Sequence, residues 1–389
     1  MKLTAKKEDL ERALKIGSTT VANSGDELRA HYLFRYRNGK MEVLGNDERL
    51  LGSVVLECEV EGASDNPDEN RFTVEADRIN RWLSASPKGN VSLRLKDGKV
   101  IAQAALGKVT FRSLDPARFP YWESRLEAAT FTGKISASRL HRILKHAQLF
   151  MSNNEAQDPE ICSCEFKDNG FLYATDAASA TIIRVAGMEK SNARMTKKKD
   201  ISSYLRFLEA HSEDEIEFWE HDQCLFLKTS SGNLFGQTKW KYDFPDIDLG
   251  SAFEDAHHWW TFSREEMISV IGFLTPSAVR DRYQIHFKLD GVGNINVSLT
   301  SAAGGKVEIP VNCKESKSVA DCVPLPQGGF PLSYEYLKSV LKGLSGEFVT
   351  MASSQLLNDA GDPAGGYCSF KQEVEGDQYL VVLGWYEEQ

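Results

Sequence analysis

An amphipathic helix is written six times along this 389-residue chain, and that recurrence limits the folds open to it. RLHRIL at 139–144 is the plainest copy; DLERAL (9–14), RINRWL (78–83), EMISVI (266–271) and YLKSVL (336–341) match it. A looser copy, YLRFL (204–208), puts Glu209 where the last apolar residue should fall. The leading apolar positions are Leu10, Ile79, Leu140, Leu205, Met267 and Leu337, spaced by 69, 61, 65, 62 and 70 residues. Apolar residues at i, i+3 and i+4 make one buried stripe per helix. A fixed spacing means that one supersecondary unit is repeated.

Each helix follows a short strand-like entry: KLTAK (2–6), RFTVEA (71–76), GKISAS (133–138), DISS (200–203), WTFSRE (260–265) and FPLSYE (330–335). Ser or Thr near most of these junctions predicts side-chain N-caps. After the helices come alternating segments broken by turn residues. The clearest is VSLRLKDGKVIAQAALGKVTFRSL (91–114), where Asp97-Gly98 predicts a hairpin. The unit therefore reads strand, helix, then about three antiparallel strands. A second marker sets a longer period: RFP (118–120) and DFP (243–245) each close a segment, 125 residues apart. Two units then make a domain, with expected domains at 1–128, 129–252 and 253–389 and linkers near 121–131 and 246–259. The expected class is α+β, three similar domains with helices on one face and antiparallel sheets on the other.

Hydrophobic residues at 41% and charged residues at 26% exclude a disordered chain. No apolar run approaches the ~20 residues of a membrane span, and MKLTAKKEDLERAL lacks the apolar core of a secretory signal. Seven scattered cysteines, an odd number, read as reduced thiols, so a cytoplasmic protein is expected. The net charge of −10 argues at first against a nucleic-acid partner. Its distribution argues otherwise. The helix windows 6–15, 75–83, 138–147, 196–211, 263–282 and 333–343 together carry +7, which leaves −17 on the rest. The helix at 139–147 turns Arg139, Arg142, Lys145 and His146 away from its apolar stripe, with no acid among them. Such a face attracts a polyanion that the remaining surface repels. The densest basic run is Lys197-Lys198-Lys199, with Arg206 beyond it; a lysine run is also how a solvated loop is written.

The chain resembles the bacterial beta sliding clamp, the ring-shaped processivity subunit of the replicative DNA polymerase. Short segments carry the resemblance in order: MKLTAKKEDLERAL at the start, SLDPARFP (113–120), ATD (174–176) with TIIR (181–184), KYDFPDI (241–247), GFPLSYEYLKSVLKGL (329–344) and QYLVVL (378–383). The resemblance implies a head-to-tail homodimer whose twelve helices line a hole around duplex DNA, with the antiparallel sheets outside. It implies sequence-independent contacts to phosphates, which position without specifying. The basic helix residues placed there are Lys6, Lys15, Arg78, Arg81, Arg139, Arg142 and Lys145, then Lys197, Lys198, Lys199, Arg206, Lys338 and Lys342. Partners implied are the replicative polymerase, its clamp loader and other proteins bearing a clamp-binding peptide.

The same resemblance implies a peptide pocket between the second and third domains. Carried over by position, its walls are Thr175, Ala177, Ala180, Pro245, Leu249, Tyr334, Val382 and Leu383. It also implies that Val109 and Phe111 of one chain meet Phe273 and Leu274 of the other, although these also read as ordinary core residues. The chain departs from the family twice. Ala177-Ala178-Ser179 stands where the family has Gly-His-Arg, and LGWYEEQ (383–389) replaces a shorter end rich in Pro, Met and a basic residue. Both departures are expected in the pocket, and they suit a divergent member of the kind phages or plasmids carry.

Signatures of chemistry are weak. No Walker loop, GxGxxG or GxSxG occurs. Cys162-Ser163-Cys164 lacks a second ligand pair and reads as a strand with buried thiols. His257-His258-Trp259-Trp260 reads as a linker packed by one Trp, and His141 and His146 miss the i, i+4 spacing of a zinc pair. No enzyme, cofactor or metal is expected. Two other readings remain: a clamp-shaped adaptor that binds partner peptides without loading on DNA, and an enzyme whose site is assembled from distant residues.

Overall fold

The computed structural model describes residues 1–21, 27–167, 169–249, 251–274, 284–289, 294–300, 306–320, 322–326, 329–344, 346–357 and 363–385. They gather into two compact units, Met1–Leu144 with Lys190–Lys241, and Lys145–Glu189 with Tyr242–Gln389.

In the first unit a five-stranded antiparallel sheet has the order Glu59–Glu61, Lys2–Lys6, Asn90–Lys96, Lys99–Ala104, Gly107–Arg112. Its hairpin turns at Asp97 (φ 51°) and Gly98 (φ 69°), the pair of positive φ values that a two-residue turn needs to follow the strand twist. A second sheet runs Thr130–Ser136, Glu215–Glu220, Cys224–Thr229, Leu234–Thr238, Leu50–Leu56, Lys40–Asn46, His31–Arg37, Arg71–Glu75. Its central join pairs Leu234 with Ser53 and Gln237 with Leu50, so the sheet is continuous across the expected boundary at 128.

The second unit repeats the plan. One sheet contains the run Ser163–Lys167, Phe171–Thr175, Ser179–Arg184, Asp377–Trp385, Pro363–Val374, Phe348–Leu357, His258–Ser263, Cys313–Ser318. Ser179–Arg184 against Asp377–Trp385 carries it across the expected boundary at 252. A four-stranded sheet has the order Lys306–Val311, Ile295–Thr300, Gln284–Leu289, Phe330–Ser333. Compactness thus follows the shared sheets. The division 1–128, 129–252 and 253–389 is a statement about sequence repetition.

One junction recurs three times. The strand before a helix pairs antiparallel with a strand more than 75 residues later, through Lys6 with Asn90, Ser136 with Glu215, and Ser263 with Phe348. At each, the first N–H of the helix donates 2.9 Å to a backbone carbonyl: Lys7 to Gly89, Ala137 to Asp214, Arg264 to Glu347. These helix starts are therefore seated on a neighbouring strand. The expected Ser/Thr caps hold only in part. Lys6, Glu75 and Asp200 occupy three cap positions without side-chain bonds, and Ser333 also makes none. Ser263 Oγ does accept from the Glu266 N–H at 3.3 Å. A free N–H needs any acceptor, and here the sheet often supplies it.

The six helices are Lys7–Gly17, Ala76–Ala85, Ala137–Ala147, Ile201–Ala210, Arg264–Leu274 and Tyr334–Gly343. Leu10, Ile79, Leu140, Met267 and Leu337 are fully buried, as the stripe requires. In the fourth copy the register is one residue earlier than expected. Tyr204, Phe207 and Leu208 form its buried stripe and Leu205 is half-exposed, so an aromatic residue leads where an aliphatic one was sought. DISS is also no strand: a strand spans Arg194–Lys197, a 3-10 turn spans Lys198–Asp200, and the helix starts at Ile201. The linker at 121–131 is packed, not loose. It holds the short helix Glu123–Glu127, and Trp122 lies edge-on to Phe226 at 6.2 Å.

Candidate functional site

The first two helices are tied through Tyr32, whose hydroxyl donates to the Leu14 carbonyl at 3.0 Å and accepts from Asn80 Nδ2 at 3.1 Å. Burial pushes this phenol up to about 12, so it stays a donor. Arg264 fastens the last two helices by donating to the Leu341 carbonyl (3.0 Å) and the Gly346 carbonyl (3.1 Å), where a cation meets the negative helix end.

The expected basic residues fall into different environments on this scaffold. Lys6, Lys15, Lys145, Lys199, Arg206 and Lys342 are exposed. Arg78 and Arg81 are exposed as well, but they face acids of their own segment, Glu75 at 3.7 Å and Asp77. Arg139, Arg142 and Lys198 are half-buried. Lys338 donates to the Tyr334 hydroxyl at 2.6 Å and lies over its ring. Lys197, expected among the phosphate contacts, differs from its two neighbours in the lysine run. It is buried, with its ammonium 5.1 Å above the Trp240 ring, because a long stem packs well beneath a charged head.

Of the expected pocket residues, the structure brings four together. Thr175 pairs with Ala180 and Ala180 with Val382, so all three share one sheet face. Val382, Ile182, Leu380 and Ala252 form a buried cluster, and half-buried Leu249, Phe171, Tyr173, Phe253 and Tyr367 pack against it. Leu383, one residue on, falls on the opposite face and is buried. Pro245 and Ala177 are exposed, and Tyr334 opens the last helix. The 176–178 turn is built by Asp176, whose Oδ1 accepts from the N–H groups of Ala178 (3.2 Å) and Ser179 (2.8 Å) and from Ser179 Oγ (2.9 Å). Its Oδ2 takes the hydroxyl of Tyr336 from the last helix. Ala177 is forced to φ 72°, a left-handed conformation natural to glycine.

Trp385 corrects the placing of the second departure. It is buried, stacked on Phe330 at 5.5 Å between ring centres, over Gly366, where a Cβ would come within 2.3 Å of Trp385 Cζ2. The end of QYLVVLGW is core, and residues 386–389 lie outside the described residues.

The expected subunit contacts divide by exposure. Phe111 and Leu274 are buried within the chain, whereas Phe273 is 70% and Val109 36% exposed. Among the described residues, Gly107–Arg112 and Lys306–Val311 are edge strands of their sheets. Leu106, beside the first, is 83% exposed.

One group of polar side chains was missed in the sequence. His258 Nδ1 lies 2.9 Å from Ser318 Oγ and Nε2 lies 3.6 Å from Cys322 Sγ. The residues are far apart in the chain, and only the register of His258 opposite Ser318 could have joined them.

Strand-helix units on shared antiparallel sheets recur along the chain, which has the sliding-clamp fold. No protein-family model matches the chain, and no curated protein matches it in sequence. Solved structures match over 100% of both chains: the DNA polymerase sliding clamp of Bacillus subtilis (14% identity, TM-score 0.81), the DNA polymerase III beta subunit of Thermotoga maritima (16%, 0.77) and that of Pseudomonas aeruginosa (17%, 0.76). The likeness covers the whole chain and lies in the fold, at identities where side chains are largely replaced.

Proposed function

We propose that the chain is a DNA sliding clamp. Two copies close head to tail into a ring around duplex DNA, a clamp loader places it there, and it tethers the replicative polymerase without performing chemistry itself. The carrying observation is the full-length likeness to polymerase clamps, together with the helix-seating junction that recurs three times. On this reading the domains are 1–128, 129–252 and 253–389, and the protein works in the cytoplasm. The exposed Lys15, Lys145, Arg206 and Lys342 face phosphates. The Thr175, Ala180, Leu249 and Val382 face takes the apolar anchor of a partner peptide. Edge strand Gly107–Arg112 of one copy meets edge strand Lys306–Val311 of the other, which covers Leu106, Val109 and Phe273 and removes two open sheet edges.

Light scattering with small-angle X-ray scattering tests the ring. A clamp gives a dimer near 87 kDa, twice the 43.5 kDa chain, with the scattering of a hollow body. Retention on nicked circular DNA and loss on linearisation complete the test. A monomer that binds partner peptides but shows no topological retention would replace this reading with the adaptor.

A further inference from the structure

The histidine-cysteine group shares no residue with the surfaces used by the clamp reading and does not rest on it. His258 opens the strand His258–Ser263, which pairs with Cys313–Ser318 so that His258 faces Ser318. The Val319 N–H bonds the His257 carbonyl at 2.9 Å, and Cys322 lies against the same ring. The imidazole is held on three sides: Ser318 Oγ at Nδ1, Cys322 Sγ and the Val323 carbonyl (3.4 Å) at Nε2, and the Trp260 ring stacked within 10° of parallel. His258 is 6% exposed, while Cys322 is only half-buried and can be reached from solvent.

We propose that Cys322, His258 and Ser318 form a thiol-exchange site whose substrates are small-molecule disulfides of the glutathione-disulfide class. This is a nucleophile beside a base that a third group orients. With its proton on Nδ1 directed to Ser318 Oγ, the neutral ring turns the Nε2 lone pair toward sulfur, and the Val323 carbonyl accepts from Nε2 only once that nitrogen is protonated. Burial lowers the basicity of His258, so the ring is neutral at pH 7. In the exchange the Cys322 thiol proton passes to Nε2, and the thiolate attacks one sulfur of the disulfide. A bond forms between Cys322 Sγ and that sulfur as the original S–S bond breaks. The other sulfur leaves as a thiolate and takes the proton back from Nε2. Cys322 is oxidised to a mixed disulfide and one small thiol is released. The transient imidazolium has an acceptor at each nitrogen, Ser318 Oγ and the Val323 carbonyl. Cys58 is an internal contrast, since it is also half-buried but burial pushes its thiol up to about 11.

The test treats the full chain with limiting glutathione disulfide at pH 7 and maps mixed disulfides by peptide mass spectrometry over time. Cys322 is expected to react about 10-fold faster than Cys58, and His258→Gln to remove most of that advantage without changing Cys58. Ser318 acts through His258, so Ser318→Ala is expected to slow Cys322 and Ser318→Thr to restore it. Equal rates at Cys322 and Cys58, or an unchanged Cys322 rate in Ser318→Ala, overturns the proposal. Circular dichroism confirms that each variant is folded, and Ser318→Ala decides the matter if His258→Gln is not.

Discussion

Replacing Ala177 with glycine should stabilise the protein, against the usual effect of adding a glycine. Ala177 sits in the turn between Phe171–Thr175 and Ser179–Arg184 at φ 72°. An L-residue held there costs about 1–2 kcal/mol through the contact of its Cβ with the following carbonyl. Glycine removes that contact but gives the unfolded chain more freedom, worth about 0.4–1 kcal/mol in the other direction. The side chain is exposed, so its loss opens no cavity. The N–H remains bonded to Thr175 Oγ1 at 3.1 Å. The net expectation is a gain of about 0.5–1 kcal/mol. The assay is urea unfolding, with the midpoint rising at constant slope. Ala178→Gly is the control, because its φ is not positive, and it should lose about 0.4–1 kcal/mol through the same entropy. Equal destabilisation by both variants would refute the argument, since it would mean that the turn does not strain its alanine.

His146, expected on the outward face of its helix, is instead buried against Thr181 and Tyr379, and it predicts an acid-side loss of stability. Burial lowers its pKa to about 4, against about 6.5 when unfolded, so the folded state binds fewer protons in that interval. This contribution is fully present above pH 6.5 and is lost as pH falls toward 4, by about 3 kcal/mol. Urea midpoints from pH 7 to 4 should fall less steeply in His146→Gln than in the parent chain; parallel curves would count against it. Gly366→Ala should destabilise by about 2 kcal/mol or more, because a Cβ would lie 2.2 Å from the Ser354 carbonyl oxygen, and backbone cannot swing aside. An unchanged thermal midpoint would show that the sheet relaxes there.

The repeat was legible because burial tolerates substitution. Leu140, Ile143 and Leu144 in one helix are matched by Tyr204, Phe207 and Leu208 in another, and either set fills the space beneath a helix. The same tolerance hid the register at 204, where the aromatic residue, not Leu205, leads. The three seating junctions could not be read, because their acceptors are the carbonyls of Gly89, Asp214 and Glu347, and a backbone carbonyl has no sequence signature. Lys197 and Trp385 were misplaced for a related reason. A charged head on a long stem and an indole near a chain end each look like surface until their partners, Trp240 and Phe330, are known. His258 and Cys322 were invisible because their meeting depends on a pairing register between strands far apart in the chain.

The same contrast bears on how a clamp of this kind would hold DNA. A phosphate contact requires a free cation at a given place, and ordinary folding forces do not protect it. Arg78 and Arg81 keep their position on the helix, yet each faces an acid one turn or less away, and the helix window around them carries no net charge. Such pairs are weak in water, so a passing phosphate can compete for the guanidinium without breaking a large interaction. The grip on DNA would then be shallow and readily screened by salt. A topologically closed ring requires no tighter hold, and residence on DNA would depend on the subunit interface more than on any one cation. Phe273→Lys, placing a charge where an exposed aromatic is expected to meet the partner chain, should therefore shorten residence on circular DNA far more than Arg81→Ala. The reverse order would mean that phosphate contacts, and not ring closure, keep the protein on DNA.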